Sequence, residues 1–181
     1  MVAVRTTVAV MAVVLLLAAR GSGQMATSQA PAATSTPSGT ASSAARSIPG
    51  ALRFTAKTLD GQAFSGETLA GKPVVFWFWA PWCPKCRAEA PHVKAAAAYR
   101  DVAFVGVASL DTEAAMKEFV QRTGTGGIPH LSDEKGAVWA TFGIASQSTF
   151  LFMKADGSTS KATGPLGAEE VNAQVEKLRA G

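Results

Sequence analysis

Apolar residues collect in short runs along the chain, and polar or turn-forming residues separate these runs. The run at 73–79 is apolar at nearly every position, which is typical of a central strand buried on both faces of a sheet. Further buried strands are predicted at 102–108 and 149–153. A turn at 155–157 then leads into a last strand at 158–163, so we expect four core strands in one sheet.

Between and after these strands, apolar residues recur at helical spacing. In the clearest case, Met116 and Phe119 share one face of a helix that Asp111 or Thr112 would cap. The predicted helices lie at 84–98, 112–123, 134–142 and 168–178. Residues 124–127 are expected to form a loop.

A short hairpin precedes the core strands. Segments 52–56 and 62–65 flank Asp60 and Gly61, a pair suited to a tight turn, and one helical turn follows at 68–72. The whole order of elements predicts an α/β fold, with a central mixed β-sheet flanked by helices and the hairpin as an N-terminal extension.

The N-terminal part of the chain has a different pattern. Arg5 precedes an unbroken apolar run at 8–19, which is too short to span a bilayer comfortably and is typical of a secretory signal. We predict a signal peptide at 1–20, a disordered linker of Ala, Ser, Thr and Pro at 21–47, and the folded domain at 48–181. The expected location is outside the cytoplasm of a bacterium, secreted or associated with the cell envelope.

The end of this signal is similar to a bacterial lipoprotein signal, with one difference. Leu-Ala-Ala at 17–19 and Gly-Ser at 21–22 match that pattern, but Arg20 stands where the lipid-bearing cysteine would be. Because the position offers no thiol, no lipid can be attached there.

The basic pI of about 9.3 does not indicate nucleic-acid binding. Three of the 17 basic residues, Arg5, Arg20 and Arg46, precede the predicted domain, which leaves 14 basic residues against 13 acidic ones. Binding to a phosphate backbone needs clustered Lys or Arg, so we expect no nucleic-acid partner.

The chain contains two cysteines, Cys83 and Cys86, at the point where the first core strand gives way to a helix. A pair at this spacing can close a disulfide or open to a dithiol, and a helix N-terminus favours the thiolate. A zinc site would need two further ligands, for which only His92 and His130 are available. The pattern therefore predicts redox chemistry, with the disulfide itself in place of a cofactor or metal.

The motif and its surroundings resemble the thioredoxin fold, and within it the exported TlpA/DsbE-type branch, especially the secreted DsbE-like proteins of Gram-positive bacteria. The resemblance covers roughly residues 48–181. It is carried by Phe78-Trp79-Ala80-Pro81-Trp82-Cys83-Pro84-Lys85-Cys86, Glu89, Pro91, and Phe142-Gly143-Ile144 ahead of Thr149-Phe150-Leu151-Phe152. It implies a thioredoxin-like fold and a protein disulfide oxidoreductase.

The resemblance also implies roles for individual residues. Cys83, expected to be partly exposed at the helix N-terminus, would be the nucleophile, and Cys86 the buried resolving thiol. Glu89 would be a buried acid that transfers protons, although a solvated ion pair with Lys85 one turn earlier is an open alternative. The residues expected to meet the substrate are Trp82, Pro84, Lys85, Gln147 and Ser148.

Two positions depart from the pattern of related proteins. Cytosolic thioredoxins carry an aspartate where Trp77 stands, so their proton relay is absent here. We attribute the aromatic residues of this strand to core packing.

Ser148 stands where a cis-proline is expected, and the Gln147–Ser148 bond is predicted to be trans because a non-proline cis bond is costly. Pro129 is rejected as a substitute because a helix is expected after it. Without the proline, the sulfurs should be less shielded.

These features predict an extracytoplasmic thiol-disulfide oxidoreductase that exchanges disulfides with exported proteins. Pro84 and Lys85 between the cysteines favour an oxidant. The alternatives are a reductant for cytochrome c maturation and a weakly active thiol-binding or metal-binding protein. Peroxiredoxins share the fold but need a Thr or Ser where Ala80 stands. We expect a monomer that a membrane redox partner recycles.

Overall fold

The computed structural model of the chain describes residues 48–181, so the predicted signal peptide at 1–20 and linker at 21–47 lie outside the described residues. The strands are β1 (Thr55–Thr58), β2 (Ala63–Ser65), β3 (Val74–Trp79), β4 (Ala103–Ser109), β5 (His130–Asp133), β6 (Thr149–Met153) and β7 (Thr159–Thr163). The helices are α1 (Pro84–Ala96), α2 (Glu113–Thr123), α3 (Ala137–Thr141) and α4 (Ala168–Arg179), with 3-10 turns at Gly50–Leu52 and Gly66–Leu69. In this part of the chain, no helix is long and apolar enough to cross a membrane.

All seven strands form one sheet in the order β2-β1-β5-β4-β3-β6-β7. Strands β3, β4 and β5 run parallel, whereas β6 pairs with β3, and β1 with β5, in antiparallel fashion. The hairpin β1–β2 extends one edge of the sheet. The predicted α/β fold with a central mixed sheet and an N-terminal hairpin is thereby confirmed.

Strand β3 organises both layers of the core because its side chains are all buried and point alternately to the two faces of the sheet. Val75, Trp77 and Trp79 pack in one apolar cluster with residues of α1, α2 and α4. Phe76 and Phe78 pack in the other cluster, which contains α3 and the two 3-10 turns. The predicted core role of the strand aromatics is confirmed, and β3 delivers the chain to the cysteine motif from the centre of the sheet.

Strand β5 was not predicted, because its sequence His-Leu-Ser-Asp is short and mostly polar. The sheet buries it by giving its polar groups partners. The Asp133 carboxylate accepts hydrogen bonds from the backbone N–H groups of Val138 (3.1 Å) and Trp139 (2.9 Å) at the start of α3. Burial raises the pKa of Asp133, and these backbone donors oppose that rise.

The same strand corrects two expectations. The helix predicted at 134–142 is shorter and spans Ala137–Thr141. A strand rather than a helix follows Pro129, so the reason for rejecting this proline was wrong. It is still not the substitute, because β5 pairs with β4 and β1, whereas the strand beside β3 that follows the second loop of the site is β6.

Candidate active site

The cysteine pair lies between the end of β3 and the first turn of α1. Cys83 is the N-cap residue of the helix and Pro84 is its first residue, where the missing N–H of proline costs no hydrogen bond. The two cysteines form a disulfide with their Cα atoms 5.3 Å apart. The backbone N–H of Cys86 donates to the Cys83 Sγ atom at 3.1 Å, so this sulfur occupies the position of an N-cap acceptor.

The disulfide is more deeply buried than the sequence indicated. Cys83 is 3% exposed and Cys86 is 0% exposed, which corrects the expectation of a partly exposed Cys83. The reason is that both cysteines belong to the apolar cluster that packs α1 against the sheet. An incoming thiolate would nevertheless meet Cys83 first, since Cys86 offers no exposed surface.

Glu89 is fully buried one turn after Cys86 on α1. Its Oε2 atom accepts hydrogen bonds from the Trp77 indole N–H (3.0 Å) and from the Ser148 hydroxyl. Its Oε1 atom accepts one from the backbone N–H of Leu166 at 3.0 Å. The alternative of a solvated ion pair with Lys85 is therefore wrong, because the carboxyl group points into the protein.

Trp77 was missed as a site residue because the sequence indicated only core packing for it. Its ring does pack in the core, 5.7 Å from Trp79 between ring centroids. Its indole N–H, however, fixes one oxygen of Glu89. The signal that could have found it is the position itself, since cytosolic thioredoxins carry their proton-relay aspartate there.

Ser148 departs from its prediction in two respects. The Gln147–Ser148 bond is cis, not trans. The side chain is fully buried and bonded to Glu89, so Ser148 does not belong to the surface that a substrate would meet. Contacts on two sides hold the residue, because its carbonyl also accepts the backbone N–H of Gly164 at 2.9 Å.

Gly164 closes this cluster from the loop after β7. A Cβ atom added there would lie 1.8 Å from Oε1 of Glu89 and 2.9 Å from the hydroxyl oxygen of Ser148. Real Cβ atoms do not approach other atoms so closely, so glycine is required for the backbone to pass beside the carboxyl group.

The other residues predicted to meet the substrate lie at or near the surface. Pro84 and Lys85 are exposed, and Gln147 is half-buried. Trp82 is 51% exposed, and its indole N–H donates to the Leu110 carbonyl at 3.2 Å. Leu110 is itself 47% exposed, with a positive φ of 65°. No pattern in the sequence indicated that it would lie beside the motif.

His130 lies on the same side of the sheet, and both of its ring nitrogens are engaged in hydrogen bonds within the core. The Trp79 indole N–H donates to its Nδ1 atom at 3.2 Å, so the ring proton is on Nε2 and is donated to the Thr125 carbonyl at 3.1 Å. Burial lowers the pKa of His130 to about 4. Within residues 48–181, no three His, Cys, Asp or Glu side chains are grouped so that they could hold a metal ion.

Comparison with known proteins places this site in a family. The AhpC/TSA family matches residues 50–163. The soluble secreted antigen MPT53 of Mycobacterium tuberculosis is 41% identical over 131 residues, covering 70% of this chain and 75% of that protein. The thiol-disulfide oxidoreductase ResA of Halalkalibacterium halodurans is 28% identical over 141 residues, covering 76% and 80%.

Solved structures agree with these relatives. The structure of MTB DsbF, in its mixed oxidised and reduced forms, has a TM-score of 0.71 and 45% identity, covering 73% of this chain and 99% of that one. A secreted M. tuberculosis disulfide oxidoreductase homologous to E. coli DsbE has a TM-score of 0.68 and 39% identity, covering 71% and 98%. The chain belongs to the thioredoxin-like AhpC/TSA family and is a DsbE-like protein disulfide oxidoreductase.

Proposed function

We propose that this oxidoreductase acts outside the cytoplasm as an oxidant of cysteine pairs in exported proteins. The observation that carries the proposal is the position of Cys83 Sγ at the N-cap of α1, where it accepts the N–H of Cys86 at 3.1 Å. In the reduced protein the same position stabilises a thiolate. A stabilised thiolate favours the reduced form, and a protein with a stable reduced form is an oxidant.

The reaction begins when a substrate thiolate attacks Cys83 Sγ. The Cys83–Cys86 bond breaks, a substrate–Cys83 disulfide forms, and the sulfur of Cys86 leaves with the electron pair and takes up a proton. The second substrate thiolate then attacks the substrate sulfur of the mixed disulfide, and Cys83 leaves as a thiolate. The substrate dithiol is oxidised to a disulfide, and the Cys83–Cys86 disulfide is reduced, so no further cofactor or metal takes part.

Glu89 is the proposed proton donor to the sulfur of Cys86. The two residues are buried one turn apart on α1, where bulk water does not supply the proton directly. Trp77, Ser148 and Leu166 hold the carboxyl group from three directions. A general acid that is held in this way raises the rate of a proton-transfer step by about 10²–10⁴-fold.

Substitution of Gly164 by alanine tests the placement of this carboxyl group. The added methyl group would overlap Glu89 Oε1, so we expect the carboxyl to move and the exchange rate to fall at least about tenfold. Stopped-flow exchange with a cysteine peptide measures the change. Gly127→Ala is the matched control, because a Cβ atom there meets nothing within 4 Å. A Gly164→Ala variant as fast as this control would contradict the proposed role of Glu89.

The substrate is proposed to lie over the exposed residues around the motif. Trp82 and Leu110 offer apolar surface beside Cys83, and Pro84, Lys85 and Gln147 complete the rim. Ala80, which is fully buried, brings no hydroxyl group to the disulfide, so a peroxidase activity has no support from this residue.

The proposed location is supported by the apolar run at 8–19 and by the relatives described as secreted. With Arg20 in place of the cysteine, no lipid anchor is expected there. Each turnover leaves a dithiol, so an oxidant is required to restore the disulfide, and a membrane redox partner is the one we propose. We expect the protein to act as a monomer.

The reduction potential of the Cys83–Cys86 pair tests the direction of exchange. We expect a value near that of the oxidant DsbA, about −120 mV, and well above that of thioredoxin, about −270 mV. The oxidised protein should also restore the disulfides and activity of reduced, unfolded ribonuclease A, whereas a Cys83→Ser variant should not. A potential in the thioredoxin range would instead support the reductant of cytochrome c maturation.

A further inference from the structure

We propose that Ser148 is a positioning residue of the exchange reaction, which orients the Glu89 carboxyl group and accepts its proton in a hydrogen bond when that group is protonated. The inference rests on the proposed proton transfer by Glu89. Ser148 lies directly before β6, and its hydroxyl group reaches the Glu89 carboxyl group from there.

The geometry links the hydroxyl group to one defined oxygen. The Ser148 hydroxyl donates to Oε2 of Glu89, the same oxygen that accepts the indole N–H of Trp77. Both side chains are fully buried, and within residues 48–181 no buried side-chain nitrogen or oxygen lacks a hydrogen-bond partner. The Ser148 hydroxyl group therefore has no access to solvent, and the Glu89 carboxyl group is its hydrogen-bond partner.

The three partners of Glu89 differ in what they can do once the carboxyl group takes up a proton. The Trp77 indole and the Leu166 backbone amide can only donate hydrogen bonds. A protonated carboxyl group has an O–H that needs an acceptor, and in a buried site an unpaired donor is costly. The Ser148 hydroxyl can either donate or accept, so it alone of the three can accept a hydrogen bond from the O–H of protonated Glu89.

The backbone around Ser148 makes this arrangement rigid. The Ser148 carbonyl accepts the Gly164 N–H at 2.9 Å, and Gly164 passes directly beside the Glu89 oxygens. Ser148 is thus tied to the loop that closes the site, and the Glu89 carboxyl group is held between that loop and Trp77 of β3. A proline at position 148 would fill the place without offering a hydroxyl group.

A double-mutant cycle on the full-length chain tests the proposal. The four proteins are wild type, Ser148→Ala, Glu89→Gln and the double variant, and the readout is the stopped-flow rate of exchange with a cysteine peptide. We expect Ser148→Ala to slow exchange about tenfold in the wild-type background, in the range that supporting residues of a site contribute. In the Glu89→Gln background it should cause no further loss, because the residue acts through Glu89.

Three results would overturn the proposal. The first is an unchanged exchange rate in Ser148→Ala. The second is a fall in the exchange rate by the same factor in the wild-type and the Glu89→Gln backgrounds, which a merely structural role would give. Ser148→Thr keeps the hydroxyl group and should exchange faster than Ser148→Ala; if it folds but is no faster than Ser148→Ala, the proposal fails as well. A Glu89→Gln variant with the wild-type rate would refute the proposed role of Glu89 itself, a distinguishable outcome.

Discussion

Replacement of Cys86 by serine is expected to stop the reaction at the mixed disulfide. Cys83 would still attack a peptide disulfide from the N-cap of α1, but no resolving thiol would remain to release the peptide. Intact-mass measurement should therefore show one peptide bound to each protein molecule. Steady-state turnover should fall to the uncatalysed rate, since disulfide rearrangement without a catalyst takes minutes to hours.

The Cys83→Ser variant is the matched control for this experiment. Its remaining thiol belongs to Cys86, which is fully buried, whereas Cys83 has a small exposed fraction. Formation of the peptide adduct should be at least about tenfold slower than in Cys86→Ser, because an attacking thiol needs both access and thiolate character. Equal rates of adduct formation in the two variants would reassign the nucleophile to Cys86.

Acidification from pH 6.5 to pH 4 is expected to destabilise the fold through His130. The unfolded chain binds a proton on this side chain below about pH 6.5, whereas burial lowers the pKa in the folded protein to about 4. The neutral imidazole of His130 thus makes its full contribution to the free energy of unfolding above pH 6.5. This contribution is lost as the pH falls towards 4. The free energy of unfolding should decrease by about 3 kcal/mol over this interval from His130 alone.

Urea unfolding at a series of pH values measures this effect, with His130→Gln as the test variant and His92→Gln as the control. His92 is half-buried on α1 and serves to show the effect of losing a histidine elsewhere. The free energy of unfolding is plotted against pH for each protein. The difference in slope between wild type and His130→Gln separates the contribution of His130 from that of the carboxyl groups. Asp133 acts in the opposite direction, because its raised pKa favours the folded state on acidification. Parallel slopes in wild type and His130→Gln would contradict the expectation.

The sequence was sufficient for the parts of the site that one continuous segment builds. An apolar strand followed by two cysteines and a helix defines its own geometry, because β3, the N-cap Cys83 and the start of α1 follow one another directly along the chain. The burial of Glu89 was implied only by the resemblance to related proteins, because its place one turn after Cys86 left a solvated ion pair with Lys85 open. Strand β5 was missed because its polar side chains carry no strand signal of their own.

The surroundings of Glu89 could not be read from the sequence in this way. Ser148 lies 59 positions and Leu166 lies 77 positions along the chain from Glu89, and only the packing of β6 and the loop after β7 brings them together. The cover over the sulfurs is likewise a matter of tertiary packing, because Cys83 and Cys86 lie in an apolar cluster drawn from α1, α2, α4 and the sheet.

The sequence by itself determined the chemistry of this protein, because the two cysteines and the helix that begins between them are adjacent in the chain. Only the tertiary structure decided how the carboxyl group of Glu89 is held. The partners of a buried carboxyl group are set by which distant segments the sheet brings together, and no local pattern of residues encodes that choice.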